Sequence, residues 1–258
     1  MFKELFHYQD LLFSLVGRDI RIRYKQAMMG CIWALFMPMI AIASGILIKT
    51  AMATVSGEKV AMLGVVSISV KVLPWTFFVS ALRFSVMSLI GNANLITKIY
   101  FPREVLPLAS VLACLLDFGI AVTFLIILLT CFNLGASSYL LWLPIIFIFL
   151  FVYTYGVGLL LSAANLFYRD VRYIVEIILM FGIFFTPVFY PASAFGNWST
   201  LLLINPIGSI LEALEKVVVF KQMPDLFWLT YAGIASFGVF FLGLIVFRKL
   251  EPLFAEYI

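Results

Sequence analysis

The sequence predicts an all-α integral membrane protein. Six transmembrane helices are expected, with an N-terminal amphipathic interface helix and re-entrant outer helices between the fifth and sixth spans. Three observations carry this prediction. Apolar residues make up 64% of the 258 residues and charged residues only 12%, whereas a soluble globular chain is about half apolar and about a quarter charged. The apolar residues arrive in blocks long enough to cross a bilayer, which takes roughly 20 residues of helix. The basic residues gather on alternate connections between those blocks, the pattern of the positive-inside rule.

The six blocks are 28–48, 73–90, 105–131, 140–166, 174–190 and 227–247, and a further apolar stretch, 60–70, adjoins the second. Long runs of Phe, Leu and Ile, rather than short alternating segments, argue against a β-barrel. With the N-terminus in the cytoplasm, the connections on that side hold Lys3, Arg18, Arg21, Arg23, Lys25, Lys98, Arg103, Arg169, Arg172, Arg248 and Lys249. The opposite side holds Lys49, Lys59, Lys71, Lys216 and Lys221, lysines without an arginine. Both termini are therefore expected in the cytoplasm. Lys3, Glu4, His7, Gln9 and Asp10 interrupt the N-terminal apolar residues, so no cleavable signal peptide is expected.

Residues 1–27 predict the interface helix. Leu5, Leu12, Leu15 and Val16 recur at helical spacing, and Arg18, Arg21 and Lys25 follow on one face. Such a helix lies on an anionic leaflet. It reads either as a juxtamembrane anchor or as a grip on a lipid phosphate by Arg18 or Arg21. Residues 28–258 form the six-span domain. Its two short cytoplasmic connections, 91–104 and 165–172, mix aromatic and charged residues. They read as plain hairpin turns or as elements that dock into a groove on a soluble partner. The segment 191–224 is apolar but broken by Pro206 and Gly208. It is too short to cross twice, so it is expected to re-enter the outer leaflet as two short helices.

Three charges fall within predicted spans: Arg83, Asp117 and Glu176. A charge at the bilayer centre costs about 2.5–3.5 kcal/mol on insertion scales. Arg83 and Asp117 are expected to pair across neighbouring helices, and Glu176 to reach the cytoplasmic interface. No Gly-x-x-x-x-Gly-Lys-Ser/Thr loop is present. His7 is the single histidine, and Cys31, Cys114 and Cys131 stand far apart. A metal site, a hydrolytic triad and a disulfide framework are therefore not expected. What remains is transport, driven from outside this chain.

Short motifs then support a family resemblance. The run Arg18-Asp19-Ile20-Arg21-Ile22-Arg23-Tyr24-Lys25-Gln26, followed by Gly30, Trp33 and Pro38, resembles the start of polysaccharide ABC-exporter permeases. Leu73-Pro74-Trp75-Thr76-Phe77-Phe78 is similar to their second span. Asn92-Ala93-Asn94-Leu95-Ile96 with Lys98-Ile99-Tyr100-Phe101-Pro102, and Asn165-Leu166-Phe167-Tyr168-Arg169-Asp170-Val171, resemble their two coupling loops. Thr186-Pro187-Val188-Phe189-Tyr190 and Leu203-Ile204-Asn205-Pro206 resemble the outer segment. Lys49 and Lys71 depart from the apolar residues expected near the outer ends of spans one and two.

The resemblance covers nearly the whole chain and lies nearest to the O-antigen exporters. It implies a transport subunit of the bacterial inner membrane rather than an enzyme. Two copies would enclose a pore for a polyprenyl-diphosphate-linked polysaccharide, above a separate ATP-binding cassette ATPase that holds ATP and magnesium. No cofactor is expected in this chain and no nucleic-acid partner. Arg18, Arg21, Arg23 and Lys25 would meet the lipid diphosphate. Trp33, Phe36, Trp75, Phe77 and Phe84 would serve as pore aromatics on which sugar faces stack. Lys98, Tyr100, Arg103, Tyr168, Arg169 and Asp170 would engage the ATPase. A teichoic-acid or hydrophobic-drug permease is the alternative within the class. An ATP-independent carrier or channel is the alternative outside it, and the coupling-loop resemblance disfavours it.

Overall fold

A computed structural model describes residues 8–25, 32–56, 62–131 and 137–257, and the regular elements among them are helical. In chain order they are α1 (Gln9–Tyr24), α2 (Ile32–Ser56), α3 (Met62–Met87), α4 (Ala93–Lys98), α5 (Val105–Cys131), α6 (Leu143–Phe167), α7 (Val171–Gly182), α8 (Ser199–Ile204), α9 (Pro206–Val218), α10 (Leu226–Leu250) and α11 (Phe254–Tyr257). Five of them, α2, α3, α5, α6 and α10, are long and apolar enough to cross a membrane. At ~1.5 Å per residue each exceeds the ~30 Å hydrocarbon core. The chain is a multi-pass membrane protein.

Contacts between these helices fix their directions. Phe149 meets Phe237 with ring centroids 6.2 Å apart, and Tyr155 meets Phe240 at 5.6 Å. Positions rise together, so α6 and α10 are parallel. They approach most closely at glycine: a Cβ on Gly156 would sit 2.6 Å from the Phe240 Cα, and one on Gly243 would sit 2.6 Å from the Gly156 carbonyl oxygen. Small residues allow backbones to touch in this way in membrane helices. Helix α3 runs the same way, with Phe78 beside Tyr153 and the Asn165 Nδ2 donating to the Val86 carbonyl at 3.0 Å. Helix α5 opposes α3, because Phe84 neighbours Cys114 while Leu73 neighbours Leu125. Helix α2 also opposes α3, with Gly45 against Ile68 and Lys49 against Gly64.

Since α6 and α10 are parallel, the chain must run the length of the bundle back between Phe167 and Leu226. The sequence predicts one spanning helix for this leg, 174–190. That expectation is corrected: α7 ends at Gly182, and a 3-10 turn carries it only to Phe185. Pro187 is the cause, since a residue before proline is pushed out of the α region. Thr186 accordingly has φ −122° and ψ 139°. Twelve α-helical residues reach only ~18 Å. Beyond the break, Asn205 caps α9 by accepting from the Ile207 N–H at 3.3 Å, with Pro206 in the first helical turn.

A second expectation is also corrected. The sequence places Lys71 in an outer connection, but α3 begins at Met62, so Lys71 lies inside the helix and is 0% exposed. Its Nζ donates to the Glu215 Oε2 of α9 at 2.8 Å and to the Tyr190 carbonyl at 3.1 Å. The Ser67 hydroxyl donates to the other Glu215 oxygen. This pair pins α9 and the end of the returning leg to α3. Removing one partner of a buried pair strands a charge and costs about 3–5 kcal/mol, whereas replacing both by apolar groups is often neutral. Lys71→Met should therefore lower thermal stability in detergent sharply, and Lys71→Met with Glu215→Met should recover most of it. Equal melting of the single variant and the parent would refute the pair's role.

Candidate functional site

The C-terminal end of α1 docks on the bundle through charge. Leu15 is its buried apolar contact. The Arg18 Nη1 donates to the Asn92 Oδ1 of the first connection at 2.6 Å, and its Nη2 pairs with Asp19 at 2.8 Å. The Arg23 Nη1 donates to the Asp117 Oδ2 of α5 at 3.0 Å, its Nη2 lies 3.3 Å from the Cys114 Sγ, and its guanidinium sits 3.7 Å over the Phe84 ring. The Tyr24 hydroxyl donates to the other Asp117 oxygen. The expected Arg83–Asp117 pair is thus corrected: α1 satisfies Asp117, and Arg83 is exposed on α3. Helix α1 stands closer to Asp117 than sequence distance suggests, and arginine's fork can serve carboxylate and aromatic face together.

Above this pair lies a cavity of about 460 Å³ between α1, α2, α3 and α5. Arg23, Tyr24, Trp33, Phe77, Phe84 and Asp117 line it. It therefore gathers one of the four basic residues and three of the five aromatics singled out from the sequence. Phe36 stands beside it, edge-on to Trp33 at 5.4 Å. Trp75 does not join them. It is buried against Phe78 and Gly182 and holds α7 to α3. Arg21 and Lys25 are exposed, so they remain available to an anion at the membrane surface. Aromatic faces beside a carboxylate, a guanidinium and a phenol form a wall that can stack on sugar rings and bond their hydroxyls. Cys31 lies outside the described residues, and no cluster of metal-ligating side chains occurs among the described ones.

The second group of residues lies on the same face of the bundle. Tyr100 is 94% exposed and Tyr168 73%, and Lys98, Arg169 and Asp170 are exposed with them. Arg103 differs. Its Nη1 donates to the Glu251 carbonyl at 2.5 Å, and its N–H donates to the Glu251 Oε1 at 3.2 Å. Next to it, the Arg248 Nε donates to the buried Glu104 at 2.6 Å. The turn after α10 places Phe254, fully buried, against Phe247 and Phe167. Both short connections are thereby joined through the C-terminal residues. Between α4 and that turn opens a cavity of about 780 Å³, lined by Lys98, Tyr100, Arg103, Arg248 and Glu251. Sequence reasoning passed over Glu104, Arg248, Glu251 and Phe254, because their partners are 144 or more residues distant for the charged pairs. Glu176 is exposed on α7.

The structure is a bundle of membrane-crossing helices with a charged, aromatic-rich face. The chain belongs to the ABC-2 type transporter family, whose model matches residues 10–219. Among curated proteins it is similar to two Klebsiella pneumoniae proteins named O-antigen export system permease protein RfbA. One is 27% identical over 96% of this chain and 94% of the relative; the other is 28% identical over the same shares. A Myxococcus xanthus protein of the same name is 24% identical over 98% of this chain and 97% of its own length.

The docking of α1 is open to test. Asp117→Leu leaves the part-buried Arg23 without its carboxylate, a loss of about 1.5–3 kcal/mol for a charged hydrogen bond. Trypsin should then cut after Arg21 or Lys25 roughly ten- to a hundredfold faster than in the parent, as that energy implies. Arg23→Leu combined with Asp117→Leu should restore resistance at Lys25. Unchanged cutting in the single variant would show that the pair does not hold α1.

Proposed function

We infer that this chain is the membrane subunit of an exporter that moves a lipid-linked polysaccharide of the O-antigen type across the bacterial cytoplasmic membrane. The observation that carries this reading is the nearly full-length similarity to three O-antigen export permeases. The geometry supports it. One face of the bundle carries exposed basic residues that suit a lipid diphosphate, a neighbouring aromatic cavity that suits sugar rings, and exposed tyrosines that suit a soluble partner. That partner is a separate ATP-binding cassette ATPase, which would bind ATP and magnesium. The chain's own residues receive the lipid anion, stack the sugars and transmit the partner's motion.

A second copy completes the pathway in this reading. Helix α2 is mostly exposed along its length, whereas α3 is mostly buried. Helix α7 also buries just Val175 and Leu179, leaving Ile174, Ile177, Ile178 and Phe181 exposed. Two apolar faces of this kind suit a partner helix surface. The leg from Val171 to Tyr190 serves as the sixth crossing, and α8 and α9 fold back into the outer leaflet. Both termini then lie in the cytoplasm, on the face that carries α1.

Two experiments test the reading. Tyr100→Ala with Tyr168→Ala should leave the chain inserted in the membrane. It should nonetheless cut capture of the co-expressed ATPase and glycan export about tenfold, the loss of one or two hot-spot aromatics. Normal capture and export would sink the assignment of those loops. For sidedness, single cysteines in a background lacking the native three should respond oppositely to an impermeant reagent in spheroplasts. Ser199→Cys should react and Tyr257→Cys should not; labelling of the latter would overturn the topology.

A further inference from the structure

We propose that the cleft between α3, α5, α6 and α9 binds one acyl chain of an anionic membrane phospholipid, with Lys221 meeting its phosphate. The proposal rests on the membrane location of the bundle and is independent of the exported substrate. The cleft is a cavity of about 280 Å³. Leu73, Phe118, Val122, Leu125, Phe147 and Leu214 set its character, and its polar lining is confined to Thr130, Ser137 and Lys221. Thr130 and Ser137 stand at the end of α5 and ahead of α6, away from α1. An apolar cavity of roughly 150 Å³ stays dry and already takes benzene. Water finds partners only at the Thr130, Ser137 and Lys221 end of these walls, and within a bilayer the species at hand for the rest is a hydrocarbon chain.

Lys221 supplies the second observation. It is the one non-glycine residue among the described ones with positive φ, at 52°. The Phe220 N–H donates to the Glu215 carbonyl at 3.3 Å, and the Gln222 N–H donates to the Lys216 carbonyl at 3.0 Å. These bonds close α9 and demand the left-handed conformation. Glycine or asparagine suits such a helix end better, so the turn itself gains nothing from lysine. What lysine adds is an ammonium on a flexible stem, beside an apolar cleft, with no ion pair to it among the described residues. Such a stem can lie along apolar surface while its charge reaches the headgroup layer. Apolar cleft and cation together match the two parts of an anionic phospholipid.

The test uses the full chain in nanodiscs of phosphatidylcholine and phosphatidylglycerol, with retained lipid read by native mass spectrometry after gentle extraction. The parent should retain phosphatidylglycerol preferentially. Lys221→Asn keeps the left-handed turn available, so the fold and melting temperature should hold while that preference falls about tenfold. Val122→Phe should fill the cleft and reduce retention of both lipids. A phosphatidylglycerol bearing a diazirine midway along one chain should label α5 and α6 peptides lining the cleft in the parent and not in Val122→Phe. Equal phosphatidylglycerol preference in the parent and Lys221→Asn would overturn the proposal. So would absence of label on those helices.

Discussion

Parallel packing of α6 and α10 is the constraint from which the rest of the architecture follows. Gly156 and Gly243 let the two backbones touch, and no bulkier residue fits at that approach. Two neighbouring helices with the same direction oblige the chain to return between them. The return is not a plain helix, because Pro187 ends the helical run after Phe185. Backbone left outside a helix at membrane depth must find partners within the protein. The Tyr190 carbonyl finds the Lys71 ammonium, and the same ammonium fixes Glu215 of α9. A lysine in a span, costly by itself, thereby becomes the anchor of an otherwise poorly supported segment.

Two of the ion pairs divide the same task between opposite ends of the bundle. Lys71–Glu215 ties a non-spanning hairpin to α3, and Arg23–Asp117 ties the non-spanning α1 to α5. Each pair joins an element that lacks the apolar area to insert on its own to a helix that has it. Neither pair need add much net stability over an apolar replacement. What each supplies is a fixed position, since a charge offered no alternative partner in lipid can sit in only one place. Among the exposed cations, Arg21, Lys25, Lys98 and Arg169 are gathered on the α1 face. They are the groups with charge to spare for something outside the chain.

The long spans were legible in the sequence because continuous apolar length is a one-dimensional property. Helices α5, α6 and α10 fall close to the blocks read from hydropathy alone, whereas α2 runs on past the expected end at Lys49 to Ser56. The returning leg was misread for a related reason: residues 174–190 are apolar enough to span, but counting hydropathy passes over the backbone consequence of Thr186-Pro187. Lys71 was misread because it splits two apolar stretches, and its partner Glu215 is 144 residues away. Arg83 and Asp117 stand at matching depths on adjacent antiparallel helices, which made their pairing plausible. Nothing in the spacing of residues 18–25 signals that α1 turns Arg23 and Tyr24 inward to claim the carboxylate first. Within the site, exposed tyrosines and basic residues could be read from short connections, whereas the aromatic cavity needed four helices brought together.

The same limit explains why the two cytoplasmic-type connections look independent in sequence and are not so in the fold. Arg103 of the first connection holds Glu251, and Phe167, beside the second, packs on Phe254 and Tyr257. Residues 251–257 thus form one short bridge between both turns, reinforced by Arg248 on Glu104. Packed aromatic contacts and charged hydrogen bonds in series transmit displacement between rigid elements better than a free loop does. The bridge stands at the end of α10, whose glycine contacts lock it to α6. The pair α6–α10 is thus in contact with both turns, and α6 reaches α3 through Tyr153 on Phe78 and Asn165 on the Val86 carbonyl. Helix α3 carries Phe77 and Phe84 at the aromatic cavity and Lys71 at the far end of the bundle. One helix, set by its neighbours rather than by its own sequence, links the surface that carries the two connections to both places where the chain departs from a simple spanning helix.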